Sequence, residues 1–226
     1  MAGWLHDAST WVLPVLFAVT LHEAAHGFVA WRLGDDTAYR LGRVSFNPLR
    51  HVDPIGTVLL PALLLLLHVP LLFGYAKPVP VRFDRLRHPR SGMVLVAAAG
   101  PGTNVLLAVV STALLHLLPV LPEVASGWAR LTLVKSLYLN LVLAIFNLLP
   151  LPPLDGGRVA VGLLPRALGA PLARLEPFGM MIVMTALILL PILGGHLGAN
   201  LNLFYWIVAV PARWAMGALA NLLGVT

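Results

Sequence analysis

The chain has 226 residues, of which 59% are hydrophobic and only 11% are charged, and its net charge is +6. This composition suits one polytopic membrane domain better than a soluble domain, and the lack of cysteine excludes disulfides and thiolate metal sites. The positive charge comes from arginines between apolar segments, which predicts contact with the lipid bilayer and its anionic headgroups and argues against nucleic-acid binding.

The first predicted element is an apolar helix from Thr10 to Trp31. At 1.5 Å per residue it is about 33 Å long, which is enough to cross the hydrocarbon core of a bilayer. Its C-terminal end is predicted to be cytoplasmic by the positive-inside rule, because four arginines follow it: Arg32, Arg40, Arg43 and Arg50.

This helix contains the pentad His-Glu-Ala-Ala-His at residues 22–26. Four helical residues turn about 400°, so His22 and His26 lie one turn apart on one face, as two ligands of one Zn²⁺ require. In zinc peptidases with this spacing the glutamate, here Glu23, is a general base and not a ligand. Three polar residues at bilayer depth are costly and therefore usually functional. The pentad thus predicts a zinc site.

The second apolar segment runs from Ile55 to Phe73 and has basic clusters on both flanks. A re-entrant segment would keep both clusters inside, whereas a full crossing, the alternative, would place one outside. We favour re-entry. The following stretch contains Pro78 and Pro80, and because residues before proline are disfavoured in helices, we expect a small β-like edge near residues 77–81.

The rest of the chain carries four more apolar segments, and the predicted fold is all-α with five to six such segments, five spans plus one re-entrant segment. Asn104, in the first of the four, is expected to face the helix bundle. We expect a single membrane-embedded domain over residues 1–226, with a catalytic core at about 10–158 and accessory C-terminal helices at about 175–223. The four segments are Met93–Leu118, Leu131–Leu149, Pro177–Leu193 and Asn202–Leu223.

A catalytic zinc needs a third protein ligand, and only two acidic residues stand beside apolar segments in unusual backbone contexts. Asp53 precedes Pro54 and is favoured as a turn residue or helix N-cap. Asp155 follows a proline-rich break and precedes Gly156-Gly157, so we expect it on unwound backbone and prefer it as the ligand. The other acidic residues are expected to be solvated: Asp7, Asp35, Asp36, Asp84, Glu123 and Glu176.

These motifs together resemble the site-2 proteases, the intramembrane zinc metalloproteases of peptidase family M50. The resemblance covers residues 21–158 and is carried by His22–His26, Gly100-Pro101, Asn147–Pro150 and Leu154–Gly157. It implies one zinc held by His22, His26 and Asp155, with Glu23 as general base. It also implies that Asn147 binds the substrate backbone or steadies the oxyanion. Unlike larger members, the chain shows neither a PDZ nor a CBS domain, which leaves substrate delivery undefined.

The function implied is hydrolysis of peptide bonds in or near transmembrane segments of membrane protein substrates. Such a substrate must unwind, and we expect it to pair with the edge near residues 77–81, where Val79 and Val81 would contact it. The alternative is a zinc transporter or sensor without hydrolysis, which would not need Glu23; a catalytically inactive scaffold is a second alternative. We expect a multi-pass protein of a bacterial-type plasma membrane with its active site toward the cytoplasm. The sequence indicates no oligomeric state.

Overall fold

The computed structural model describes residues 2–51, 53–59, 63, 66 and 77–225, and within these ranges it is helical and contains no β-strand. Short 3-10 or π-helical turns lie at residues 48–50, 54–59, 83–85, 115–120 and 205–209. The α-helices are named in chain order: α1 (Ala2–Arg32), α2 (Thr37–Arg40), α3 (Pro89–Leu114), α4 (Glu123–Asn147), α5 (Asp155–Leu163), α6 (Arg166–Ala173), α7 (Glu176–Leu197) and α8 (Val210–Leu222).

The core is a bundle of α1, α3 and α4, whose relative directions follow from contacts near both ends of α1. Near its start, Trp128 of α4 donates a hydrogen bond to the Ser9 hydroxyl at 2.9 Å. Near its end, His26 Nδ1 lies 2.7 Å from the carbonyl of Val96, which belongs to the first third of α3. Helix α4 therefore runs parallel to α1, and α3 runs antiparallel to both.

Four of the described helices are long and apolar enough to cross a membrane: Leu5–Arg32, Pro89–Val120, Glu123–Asn147 and Glu176–Leu197. Large apolar side chains on them face outward, such as Phe17 at 55% exposure and Leu106 at 60%. Outward apolar faces of this extent are expected in lipid rather than in water. The predicted spans in these four regions are confirmed as helices. The predicted segment Asn202–Leu223 instead divides into a π-helical turn and α8, and is not one of the four.

The predicted β-like edge near residues 77–81 is wrong, because this stretch forms no strand. Pro78 and Pro80 have no N–H group. The N–H of Lys77 donates to a loop carbonyl, that of His51, at 2.9 Å. The N–H of Val79 donates to the side chain of Glu23 at 2.8 Å. The backbone of this segment is therefore bonded to neighbouring loop and side-chain groups rather than to another strand.

The predicted re-entrant segment, Ile55 to Phe73, lies mostly outside the described residues. Its flanks are described, and the hydrogen bond from Lys77 N–H to the His51 carbonyl brings them together. The N–H of Arg82 donates to Asp35, just beyond the C-terminus of α1, at 2.6 Å. Both flanks of this segment therefore lie at the C-terminal end of α1.

Candidate metal centre

Three side chains that are far apart in sequence meet inside the bundle: His22 and His26 of α1 and Asp155 of α5. The two Nε2 atoms are 3.1 Å apart, and each lies 3.3 Å from Asp155 Oδ2. Two ligand atoms bound tetrahedrally to one zinc at about 2.05 Å are about 3.3 Å apart. All three residues are buried. The triangle therefore has the size and the donor set of three zinc ligands.

Two further observations fit a metal ion at this triangle. Asp155 Oδ2 is buried and has no hydrogen-bond partner among the described residues, and a buried carboxylate oxygen without a donor is costly unless a cation binds it. Gly100 of α3 faces the same atoms, and a Cβ atom there would overlap both Nε2 atoms, lying 2.6 Å from that of His22. The glycine thus keeps open the space in front of both nitrogens.

The second ring nitrogen of each histidine has an acceptor that determines which nitrogen carries the proton. His26 Nδ1 lies 2.7 Å from the Val96 carbonyl, which can only accept. His22 Nδ1 lies 2.6 Å from the side-chain oxygen of Asn104. Both rings therefore carry hydrogen on Nδ1 and leave the lone pair of Nε2 directed at the triangle, as metal-ligating histidines require.

Asp155 reaches the triangle because α5 packs closely against the turn that follows α4. Asp155 is the first residue of α5, so the expected unwound backbone at this position is wrong. A Cβ atom on Gly156 would overlap the Leu148 carbonyl, and one on Gly157 would overlap the backbone of Pro152. The two glycines therefore permit a close backbone approach within a helix, and this approach brings the carboxylate to the histidines.

Glu23 adjoins His22 in α1 but is not part of the cluster of three. Its Oε2 accepts the 2.8 Å hydrogen bond from the N–H of Val79. Val79 is buried, and Val81 packs against the apolar cluster of Ala30, Leu86 and Val96. The segment predicted to contact substrate thus lies directly against the predicted general base.

The hydrogen bonds described for Asn147 and Asp53, two further positions singled out in the sequence, are made with groups outside the triangle. Asn147 is the last residue of α4, and its amide donates to the Leu143 carbonyl of the same helix at 3.0 Å. The Asp53 side chain accepts hydrogen bonds from the N–H groups of Ile55 at 3.0 Å and Gly56 at 2.7 Å. This pattern is that of a helix N-cap, the reading favoured for Asp53 from its sequence context.

Asp35, expected to be solvated, is in fact fully buried and holds the segment after residue 77 to the end of α1. Its carboxylate accepts hydrogen bonds from the N–H and hydroxyl of Thr37 and from the N–H of Arg82. Burial alone would raise the pKa of Asp35, but these hydrogen bonds and the nearby charge of Arg85 hold that pKa below its usual value. The Asp-x-Thr spacing, typical of a side-chain-capped turn, is the sequence signal for this role.

Comparison with known proteins matches the chain to one peptidase family and to relatives named as zinc metalloproteases. Peptidase family M50 matches residues 122–191. A Bacillus subtilis (strain 168) protein named as the zinc metalloprotease YwhC is 39% identical over 76% of this chain and 76% of its own length. Proteins named as the zinc metalloprotease Rip2 match in Mycolicibacterium smegmatis, at 31% identity over 83% of this chain, and in Mycobacterium tuberculosis H37Rv, at 33% over 69%. The chain covers only 66% and 53% of these two mycobacterial relatives. No solved structure matches the chain.

Proposed function

Because this chain belongs to peptidase family M50 and is a zinc metalloprotease with several membrane helices, we propose that it hydrolyses peptide bonds in or near transmembrane segments of membrane proteins. The observation that carries the proposal is the buried His-His-Asp triangle within a bundle whose outer face is apolar. A protease site enclosed by membrane helices is reached most directly by a substrate that is itself in the membrane.

We assign His22, His26 and Asp155 as the ligands of one zinc ion. The assignment is supported by the 3.1 to 3.3 Å separations of their donor atoms, by the unpartnered Asp155 oxygen and by the space that Gly100 leaves. When bound, zinc lowers the pKa of a water molecule to near 7 and polarises the substrate carbonyl.

Glu23 is proposed as the general base. Its carboxylate takes the proton from the attacking water and passes it to the amine that leaves the cleaved peptide bond. The Val79 N–H donates to one carboxylate oxygen, Oε2, which orients the group and leaves the other oxygen for the proton.

The substrate is proposed to bind in extended form along residues 77–81, at Val79 and Val81. A peptide bond within a helix is shielded by its own hydrogen bonding, so local unwinding must precede cleavage. The Val79 N–H already donates to Glu23, and the two prolines lack N–H groups. The segment would therefore offer a substrate mainly carbonyl acceptors for its N–H groups. Asn147 is proposed to bind the substrate backbone or the oxyanion, using the second N–H of its amide.

The protein is proposed to reside in the cell membrane with its site toward the cytoplasm. Basic residues dominate the end of the bundle where α1 terminates, and this end also holds both flanks of the segment at 55–73. The positive-inside rule favours the cytoplasm for such an end. The shared position of the two flanks supports a re-entrant segment rather than a crossing.

The deciding experiment is the substitution Glu23→Gln, which preserves shape and hydrogen bonding but removes the titrating carboxylate. Membrane proteins from cells expressing the parent or the variant are compared by quantitative mass spectrometry for fragments that end within transmembrane segments. We expect such fragments with the parent and none with Glu23→Gln, although the purified variant keeps its zinc. Glu123→Gln is the matched control, since it makes the same chemical change at an exposed position and should cleave normally.

Equal fragment production by Glu23→Gln would contradict the assigned base. Fragments confined to soluble domains would contradict the proposed substrate class. Zinc flux through the parent in proteoliposomes, left intact by Glu23→Gln, would instead indicate a transporter.

A further inference from the structure

A continuous chain of buried polar side chains runs from His22 into the apolar centre of the bundle. The Asn104 oxygen lies 2.6 Å from His22 Nδ1, and the Asn104 amide donates to the Asn140 oxygen at 2.8 Å. The amide of Asn140 donates to the Ser136 carbonyl at 2.9 Å. Asn104 and Asn140 are 0% and 1% exposed. Polar groups this deep in a membrane bundle are costly and are usually retained for function.

The direction of every hydrogen bond in this chain follows from two backbone carbonyls, which can only accept. The Ser136 carbonyl requires the NH₂ group of Asn140 and so turns the Asn140 oxygen toward Asn104. The Ala18 carbonyl lies 3.3 Å from Asn104 Nδ2, and both this carbonyl and the Asn140 oxygen can only accept. The NH₂ group of Asn104 must therefore face these two acceptors. The Asn104 oxygen is left facing His22. An amide oxygen only accepts, so His22 must carry its proton on Nδ1.

The two histidines of the triangle are therefore held by different means. The Nδ1 of His26 faces the backbone carbonyl of Val96, which no substitution removes. The Nδ1 of His22 depends on two side chains from two other helices, Asn104 of α3 and Asn140 of α4. A substitution that removes the hydrogen bonds of either asparagine should therefore affect the His22 ring and leave the His26 ring unaffected.

We infer that Asn104 is a positioning residue that fixes the tautomer and orientation of His22, and that Asn140 fixes the Asn104 amide in turn. The inference rests on the proposed assignment of His22 as a zinc ligand. Neither asparagine touches the reacting atoms: both act through the imidazole, by keeping the Nε2 lone pair directed at the triangle. Substitution of such an outer partner costs about 10–100-fold in metal affinity in other zinc sites.

The test is the zinc affinity of detergent-purified protein, measured by competition with a chromophoric chelator. We expect Asn104→Leu and Asn140→Leu each to weaken zinc binding by about 10–100-fold. Asn140→Asp should bind nearly as the parent does. A carboxyl at this depth is protonated, so it keeps an oxygen acceptor for Asn104 and an O–H donor for the Ser136 carbonyl. Thr112→Val is the matched control, because Thr112 is equally buried on α3 but its hydroxyl donates to Ala108 of the same helix.

A second measurement needs no asparagine variant. ¹⁵N NMR of the metal-free, histidine-labelled parent, with the His22 signal identified by its absence in His22→Gln, reports which ring nitrogen carries the proton. We expect Nδ1–H; a His22 ring protonated on Nε2 would overturn the inference whether or not the leucine variants fold.

The outcomes separate this inference from the function it rests on. If folded Asn104→Leu and Asn140→Leu bind zinc like the parent while His22→Ala does not, the positioning role is wrong and the metal assignment stands. If His22→Ala itself keeps the parent's zinc affinity, the metal assignment fails and the inference fails with it. Equal weakening by Asn140→Leu and Asn140→Asp would show that zinc affinity does not follow the oxygen acceptor that residue 140 presents to Asn104, and would also overturn the positioning role.

Discussion

A single added methyl group at Gly100 should impair zinc binding while leaving the helix intact. A Cβ atom there would lie 2.6 Å from His22 Nε2 and would also overlap His26 Nε2, whereas ordinary contacts of a Cβ atom begin at 3.4 Å. One or both imidazoles must therefore move by about 0.8 Å, far beyond the roughly 0.2 Å tolerance of a zinc–ligand distance.

The size of the effect can be bounded from packing energetics. Inserting an extra methyl into a filled interior costs about 1–3 kcal/mol. If that strain falls on the zinc-bound state, affinity drops by about 5- to 150-fold. A glycine-to-alanine change inside a helix also stabilises the helix by about 0.5–1 kcal/mol, so loss of folding is not the expected result.

Gly102 provides the control for this prediction. It lies on α3 two residues further along, and a Cβ atom there would meet nothing within 4 Å among the described residues. Both variants are purified in detergent, and zinc affinity is measured by chelator competition, with helical content by circular dichroism. Gly102→Ala should match the parent. Parent-like zinc affinity in Gly100→Ala would refute the argument that this glycine reserves the space for the metal.

Three further predictions test the site and its orientation. Asp155→Ala should lose most of its zinc in metal analysis because it removes one ligand, whereas Asp53→Ala should keep it; full occupancy in Asp155→Ala would remove that residue from the ligand set. Asn147→Ala should retain zinc and fold but cleave about 10²–10³-fold more slowly, the usual cost of one oxyanion donor, and a parent-like rate would leave Asn147 with only its hydrogen bond within α4. Single cysteines at Arg40 and Arg85 should both react with an impermeant thiol reagent from the cytoplasmic side alone; labelling at 85 from outside would contradict re-entry.

The sequence by itself determined the features that depend on local geometry. Composition and segment length identified a membrane protein, because about 20 apolar residues are needed to span a bilayer in helical form. The helical repeat placed His22 and His26 on one face whatever the rest of the chain does. The local sequence of Asp53, just before a proline, indicated an N-cap, and its hydrogen bonds in the structure have that pattern.

Only the tertiary structure decided which distant groups meet. The sequence context favoured Asp155 over Asp53 as the third partner of the histidines, but it is the packing of α5, through Gly156 and Gly157, that brings Asp155 to them. The bond of Asn104 to His22 also depends on the antiparallel packing of α3 against α1, and no local pattern encodes that register. Proline spacing predicted a β-like edge near residues 77–81, but a strand needs a second strand with which to form hydrogen bonds. The N–H of Val79 donates to the Glu23 side chain instead.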